Sequence, residues 1–147
     1  MEPLQFLVPV EDLVAVEGLL PYAALALVLV NTVTRLLGHR TYVSQAASGG
    51  AAAVSRYAPH TVTSVALLLV SFAYMVVAPH GGMVLSVLVV GTVLADFFEF
   101  ESRKVEARND MPIERPKSAL TGSLLVVLYA GYQSVFFMIQ PFWNAVV

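Results

Sequence analysis

The chain contains no cysteine. Disulfides, thiolate nucleophiles, iron–sulfur clusters and cysteine-ligated zinc are therefore excluded. Charge is scarce too: Asp, Glu, Lys and Arg make up 12% of the 147 residues, against about 25% in a soluble domain. The shortage falls in blocks. Residues 18–34, 61–79, 81–95 and 118–147 hold no Asp, Glu, Lys, Arg or His. Basic residues are absent before Arg35, between Arg56 and Arg103, and after Lys117. The segment ahead of the first uncharged run carries Glu2, Glu11, Asp12 and Glu17 without any Lys or Arg. It thus lacks the basic start of a cleavable signal peptide.

What fills the uncharged blocks is apolar. The chain is 58% hydrophobic, with a mean hydropathy of +0.76. A hydrocarbon core of about 30 Å takes about 20 helical residues to cross. A buried helix of a soluble protein keeps a polar face at helical spacing, and VALLLV (65–70) and LSVLVV (85–90) have none. The pattern predicts an all-α, polytopic membrane protein. Its one domain spans 1–147, with four transmembrane helices at about 13–37, 59–78, 83–109 and 116–140. The eight basic residues are Arg35, Arg40, Arg56, Arg103, Lys104, Arg108, Arg115 and Lys117. All fall in the two links that join the first run to the second and the third to the fourth. Basic residues in short loops stay cytoplasmic, so both termini are expected outside.

Local signals refine this plan. Residues 45–54 (QAASGGAAAV) have loop composition, and 79–82 (PHGG) form a tight outer turn. Helix three is expected to leave the membrane as a charged cytoplasmic extension, with Glu99/Arg103 at i,i+4 and Glu101/Lys104 at i,i+3. Pro141 should end helix four near residue 140. Leu4, Phe6, Leu7, Val8 and Val10 place residues 1–12 along the interface. Tyr22, Phe142 and Trp143 suit an aromatic belt. No internal repeat is visible, which leaves an inverted-repeat transporter fold unsupported.

The most informative cluster is DFFEFE (96–101). Asp96 lies 15 residues after Gly81, or roughly 22 Å of helix, so it is still at or inside the membrane edge. Asp96 and Glu99 share a face, with Arg103 a turn further. Arg35 sits at a similar depth on helix one, with Asn31 one turn before it. A lone ion at that depth is costly, so Arg35 is expected to pair with Asp96 or Glu99 between helices one and three. Two other readings remain open: plain interfacial charge, or part of a proton or ion pathway.

His39, His60 and His80 fall near helix ends, as ordinary interfacial residues do. They offer neither haem ligands at the membrane centre nor a tetrahedral metal set. Both lysines lie in the second basic link, so a retinal Schiff base within the bundle is excluded. In helix four, Gln133 and Ser134 are polar groups that should face another helix. Small-residue pairs Gly82/Ser86, Gly91/Ala95 and Ala130/Ser134 allow close helix approach. No nucleotide loop, nucleophile elbow or zinc-protease motif occurs, so neither cofactor, nucleotide nor nucleic acid is expected.

The stretch TVLADFFEFESRKVEARNDMPIERPKSAL, with the later GYQSVFF and PFWNAVV, resembles a family of small four-helix membrane proteins from haloarchaea without an assigned function. The resemblance runs along the whole chain and is most distinctive at the exit of helix three. It implies a multi-pass protein of an archaeal plasma membrane and supplies no activity or ligand. Six Arg against two Lys agree with such a source.

Three functions compete. The expected one is a non-catalytic accessory or scaffold subunit, bound to a larger respiratory or transport assembly or to copies of itself. An oligomeric channel or transporter with a polar path near Asn31, Asp96 and Glu99 is the alternative. An intramembrane enzyme ranks last, for want of a ligand set or a nucleophile–base pair.

Overall fold

A computed structural model describes residues 7–147. Glu2, Leu4 and Phe6 of the acidic leading segment lie outside the described residues. Five helices follow in order: α1 Val10–Ala15, α2 Leu20–Gly49, α3 Ala58–Val77, α4 Pro79–Arg108 and α5 Lys117–Val146. Short 3-10 turns precede and follow α2, and no strand occurs among the described residues. Four helices are long and apolar enough to cross a membrane. The 20 residues of α3 rise about 30 Å, the hydrocarbon thickness, and the 30 residues of α5 about 45 Å.

Several boundaries differ from the expectation. The first helix does not begin near Leu13: α1 ends, a 3-10 turn spans Glu17–Leu19, and α2 starts with Pro21 in its first turn, where its missing N–H has no partner to lose. Nor does it end near Leu37. It continues through residues 45–49 of the expected loop and stops at Gly50, whose φ of 68° is a conformation glycine adopts at little cost. The PHGG segment is not a turn but the first turn of α4, so α3 and α4 are joined by Ala78 alone. Pro141 does not stop the last helix, which runs on to Val146.

The helices form a closed square in which α2 touches α3 and α5, and α4 touches the same two. Its dry centre contains Val28 of α2, Leu67 and Tyr74 of α3, Leu85 and Val89 of α4, and Val126 of α5, each at most 1% exposed. The exterior is apolar instead of polar: Val62, Leu69, Val87, Leu94 and Leu128 are all more than half exposed. Several buried hydroxyls bond to their own helix, as Ser71 does to the Leu68 carbonyl (2.8 Å) and Thr92 to the Leu88 carbonyl (2.8 Å), while Ser86 of α4 donates across to the Ser71 carbonyl of α3 (3.0 Å). Apolar outside and polar within is the arrangement a lipid solvent selects.

Close approach depends on two glycines. A Cβ on Gly82 would fall into the backbone of Met75 across the one-residue hairpin, and one on Gly122 would meet the Thr92 side chain. Gly91 has open space around it, so the Gly91/Ala95 pair makes no such contact, whereas Ala130 and Ser134 are buried on α5.

Candidate functional site

One end of the bundle collects polar groups from all four long helices. Arg35 of α2 is 3% exposed and lies side-on to Asp96 of α4. Its Nε donates to Oδ1 at 2.7 Å and its Nη2 to Oδ2 at 2.7 Å. The same Nη2 also donates to the Asn31 Oδ1 at 2.8 Å, and Nη1 donates to the Ser123 hydroxyl of α5. Four of the guanidinium's five N–H groups are thus engaged. Two parallel charge-assisted bonds fix direction as well as distance.

The third wall comes from α3. His60, in its first turn, places Nδ1 3.0 Å from the Thr34 hydroxyl and Nε2 3.0 Å from Asp96 Oδ2. The Nε2 atom is buried without a hydrogen-bond partner. Asn31 holds the α2–α3 seam, its amide donating to Thr63 Oγ1 at 2.9 Å and Ser64 Oγ at 3.0 Å. The Thr34 hydroxyl donates to the Asn31 carbonyl, so the cluster is continuous from Ser64 to Ser123.

Glu99 and Arg103 do not join this ion pair. Glu99 Oε1 accepts from the backbone N–H groups of Ser118 (2.7 Å) and Ala119 (3.1 Å) at the start of α5. That start has Pro116 at its cap position and no side-chain cap of its own, so the carboxylate from α4 satisfies its orphan donors. Arg103 turns to the α4–α5 link, donating to the carbonyls of Glu114 and Arg115, with Nε 3.1 Å from Glu106. The expected Glu99–Arg103 contact is therefore replaced, while Lys104 does reach Glu101 at 3.4 Å. Glu99→Ala should loosen the start of α5 by about 1 kcal/mol. Hydrogen exchange at Ser118 and Ala119 is expected to speed up in that variant while the centre of α5 keeps its protection.

Between these two groups lies a cavity of about 50 Å³ bordered by Arg35, Tyr42, His60, Asp96, Glu99 and Arg103. Among the described residues, the three buried side-chain atoms without a hydrogen-bond partner, on His60, Glu99 and Arg103, all belong to residues that border it. The volume suits a few water molecules. At its rim the Arg56 guanidinium stacks 4.3 Å from the centre of the Phe100 ring and 5.1 Å from that of Phe97. No three side chains that could ligate a metal converge among the described residues.

The other end has a smaller polar contact. Tyr74 donates to Gln133 Oε1 at 3.0 Å, and Gln133 Nε2 reaches the Tyr129 hydroxyl at 3.0 Å. Tyr22 donates to the Ser134 carbonyl at 3.0 Å, while the Ser134 hydroxyl bonds to Ala130 on its own helix. Sequence reasoning placed His60 at the interface and missed its role. The available signal was its position after Pro59 at the start of a helix antiparallel to α2, level with Thr34.

A family model described as a domain of unknown function (DUF7313) matches residues 2–147. The chain belongs to that family. No curated protein and no solved structure matches it.

Proposed function

We propose that the protein is a small non-catalytic integral membrane protein, an accessory or scaffold subunit of a larger membrane complex of the respiratory or transport kind. The observation that carries this reading is the commitment of the buried charges. Arg35 spends four N–H groups on Asp96, Asn31 and Ser123 of its own chain, and Glu99 caps α5. Such groups fasten helices together. The dry layer of Val28, Leu67, Leu85, Val89 and Val126 next to the cluster favours it over the channel or transporter alternative. An exterior of exposed Val, Leu and Phe side chains suits contact with lipid and with other membrane subunits.

In this reading the basic end faces the cytoplasm and both termini face outward, because all eight Lys and Arg residues belong to that end's helix segments and links. The resemblance to haloarchaeal proteins supports an archaeal plasma membrane.

Purification in mild detergent followed by mass spectrometry tests the proposal. An unrelated membrane protein recovered in fixed ratio supports it. A homo-oligomer alone that conducts ions in liposomes overturns it in favour of the channel.

A further inference from the structure

His60 is the imidazole that faces the Arg35–Asp96 pair, and the hydrogen bonds around it decide which ring nitrogen carries its proton. Arg35 Nη2 donates to Asn31 Oδ1, which turns the Asn31 amide nitrogen towards α3. Both protons of that nitrogen go to the hydroxyl oxygens of Thr63 and Ser64. The Thr34 hydroxyl donates to the Asn31 carbonyl (2.9 Å) and the Thr63 hydroxyl to the His60 carbonyl (3.0 Å). With these protons committed, the Thr34 oxygen, 3.0 Å from Nδ1, is left to accept. Nδ1 therefore carries the ring's hydrogen.

In that tautomer Nε2 is a bare nitrogen. It stands 3.0 Å from Asp96 Oδ2 and is buried without a hydrogen-bond partner. Two lone pairs at that separation repel, and a buried acceptor left unsatisfied is costly. A proton on Nε2 removes both penalties, because the repelling contact becomes a charge-assisted N–H bond to a carboxylate. Its way in is the cavity of about 50 Å³ that His60 borders, large enough for a few waters. Arg56, at the rim of that cavity, is 43% exposed. Further into the bundle, residues 61–79, 81–95 and 118–147 hold no carboxylate, imidazole, ammonium or guanidinium. A proton that reaches His60 goes no further.

We propose that His60 Nε2 is a proton-binding site, and that proton uptake there clamps the start of α3 to α4 as pH falls. The proton leaves a cavity water for the Nε2 lone pair, the Asp96 carboxylate meets the new charge, and no other bond breaks. Charged groups face the imidazole from several sides. Arg35 comes from α2, with His39 and Tyr42 also on that wall, and Arg56 from the chain ahead of α3. Asp96, Glu99 and Arg103 come from α4, Glu114 from the α4–α5 link, and α5 contributes the uncharged Ser123. Three carboxylates offset three guanidiniums, so the nearest group, Asp96, sets the direction: the clamp is tight at low pH and loose at high pH. Histidine is the side chain whose charge ordinarily changes between about pH 5 and 8. With the basic end in the cytoplasm, a placement that rests on the reading above, the site responds to internal acidity.

The full chain in lipid nanodiscs tests the site whichever way the bundle is inserted, so the outcome is independent of that orientation and of the search for an unrelated subunit. Nitrogen-15 spectra of histidine-labelled protein, assigned with His39→Gln and His80→Gln, should show His60 with a bare Nε2 at about pH 8 and with both nitrogens protonated at about pH 5.5. Amide exchange, corrected for its intrinsic pH dependence, should find residues 62–65 about tenfold better protected at the lower pH, with the centre of α5 unchanged. His60→Gln should abolish that difference, and His39→Gln should keep it. A proton on Nε2 at the higher pH, equal protection at both, a difference that survives His60→Gln, or one lost in His39→Gln overturns the proposal. If His60→Gln does not fold, the spectra and exchange of the unmodified chain decide alone.

Discussion

Arg35→Ala is expected to cost the bundle about 3–5 kcal/mol, because it leaves a buried carboxylate without its counter-ion. Asp96 has 16% of its side chain exposed, and the guanidinium supplies its two bonds of 2.7 Å. His60 Nε2 stands 3.0 Å away from that carboxylate and makes no hydrogen bond to it. The loss should appear in denaturant titration of the protein in micelles, and as a lower folded yield. Asp96→Asn added to Arg35→Ala removes the stranded charge and should recover part of the loss. A double variant as damaged as the sum of the two singles contradicts the pairing. Arg35→Lys should fall between, since one ammonium cannot lie side-on to the carboxylate and also reach Asn31 and Ser123.

Gly82→Ala is expected to be comparably harmful for a steric reason. The added methyl would overlap the Met75 backbone and lie 2.5 Å from the Tyr74 carbonyl carbon. Both obstacles are main chain, held by a hairpin with one linking residue, so neither can rotate aside. A loss of more than about 3 kcal/mol, or a partly opened α3–α4 hairpin, follows. Gly91→Ala on the same helix is the control. It meets nothing within 4 Å, and alanine is the better helix former by about 1 kcal/mol, so that variant should melt at the same temperature or higher. Equal damage at both positions would trace the effect to glycine's general properties instead of to close approach.

The spans were legible because lipid imposes a simple rule on sequence: charge-free runs of about 20 residues. The Arg35–Asp96 pairing was legible in outline because depth can be counted along two helices that run the same way. Choosing Asp96 over Glu99 was beyond that count, since the choice depends on how far α4 is rotated towards the diagonal of the square. Glu99 caps α5 because Pro116 leaves that helix without a cap of its own. The need was written at residues 116–119, but the donor of the carboxylate is set by the fold of the α4–α5 link. His60 was missed for a related reason, as its direction follows from how α3 crosses α2. The helix ends failed on composition. Ala46, Ala47 and Ser48 continue a helix already under way, and Pro141 is carried inside α5 at the loss of one backbone hydrogen bond, that of its own missing N–H.

The central claim is that lipid is the solvent of the outer faces while the polar groups face inward. Spin labels on single cysteines placed from Met83 to Leu94, in vesicles, test it directly through collision with oxygen and with a water-soluble nickel complex. Oxygen access should peak at Val87, Gly91 and Leu94 and fall at Leu85, Val89 and Thr92, in step with the helix, while nickel stays low throughout. High nickel access at Val87 and Leu94 would mean that water bathes those faces, and the account would be wrong.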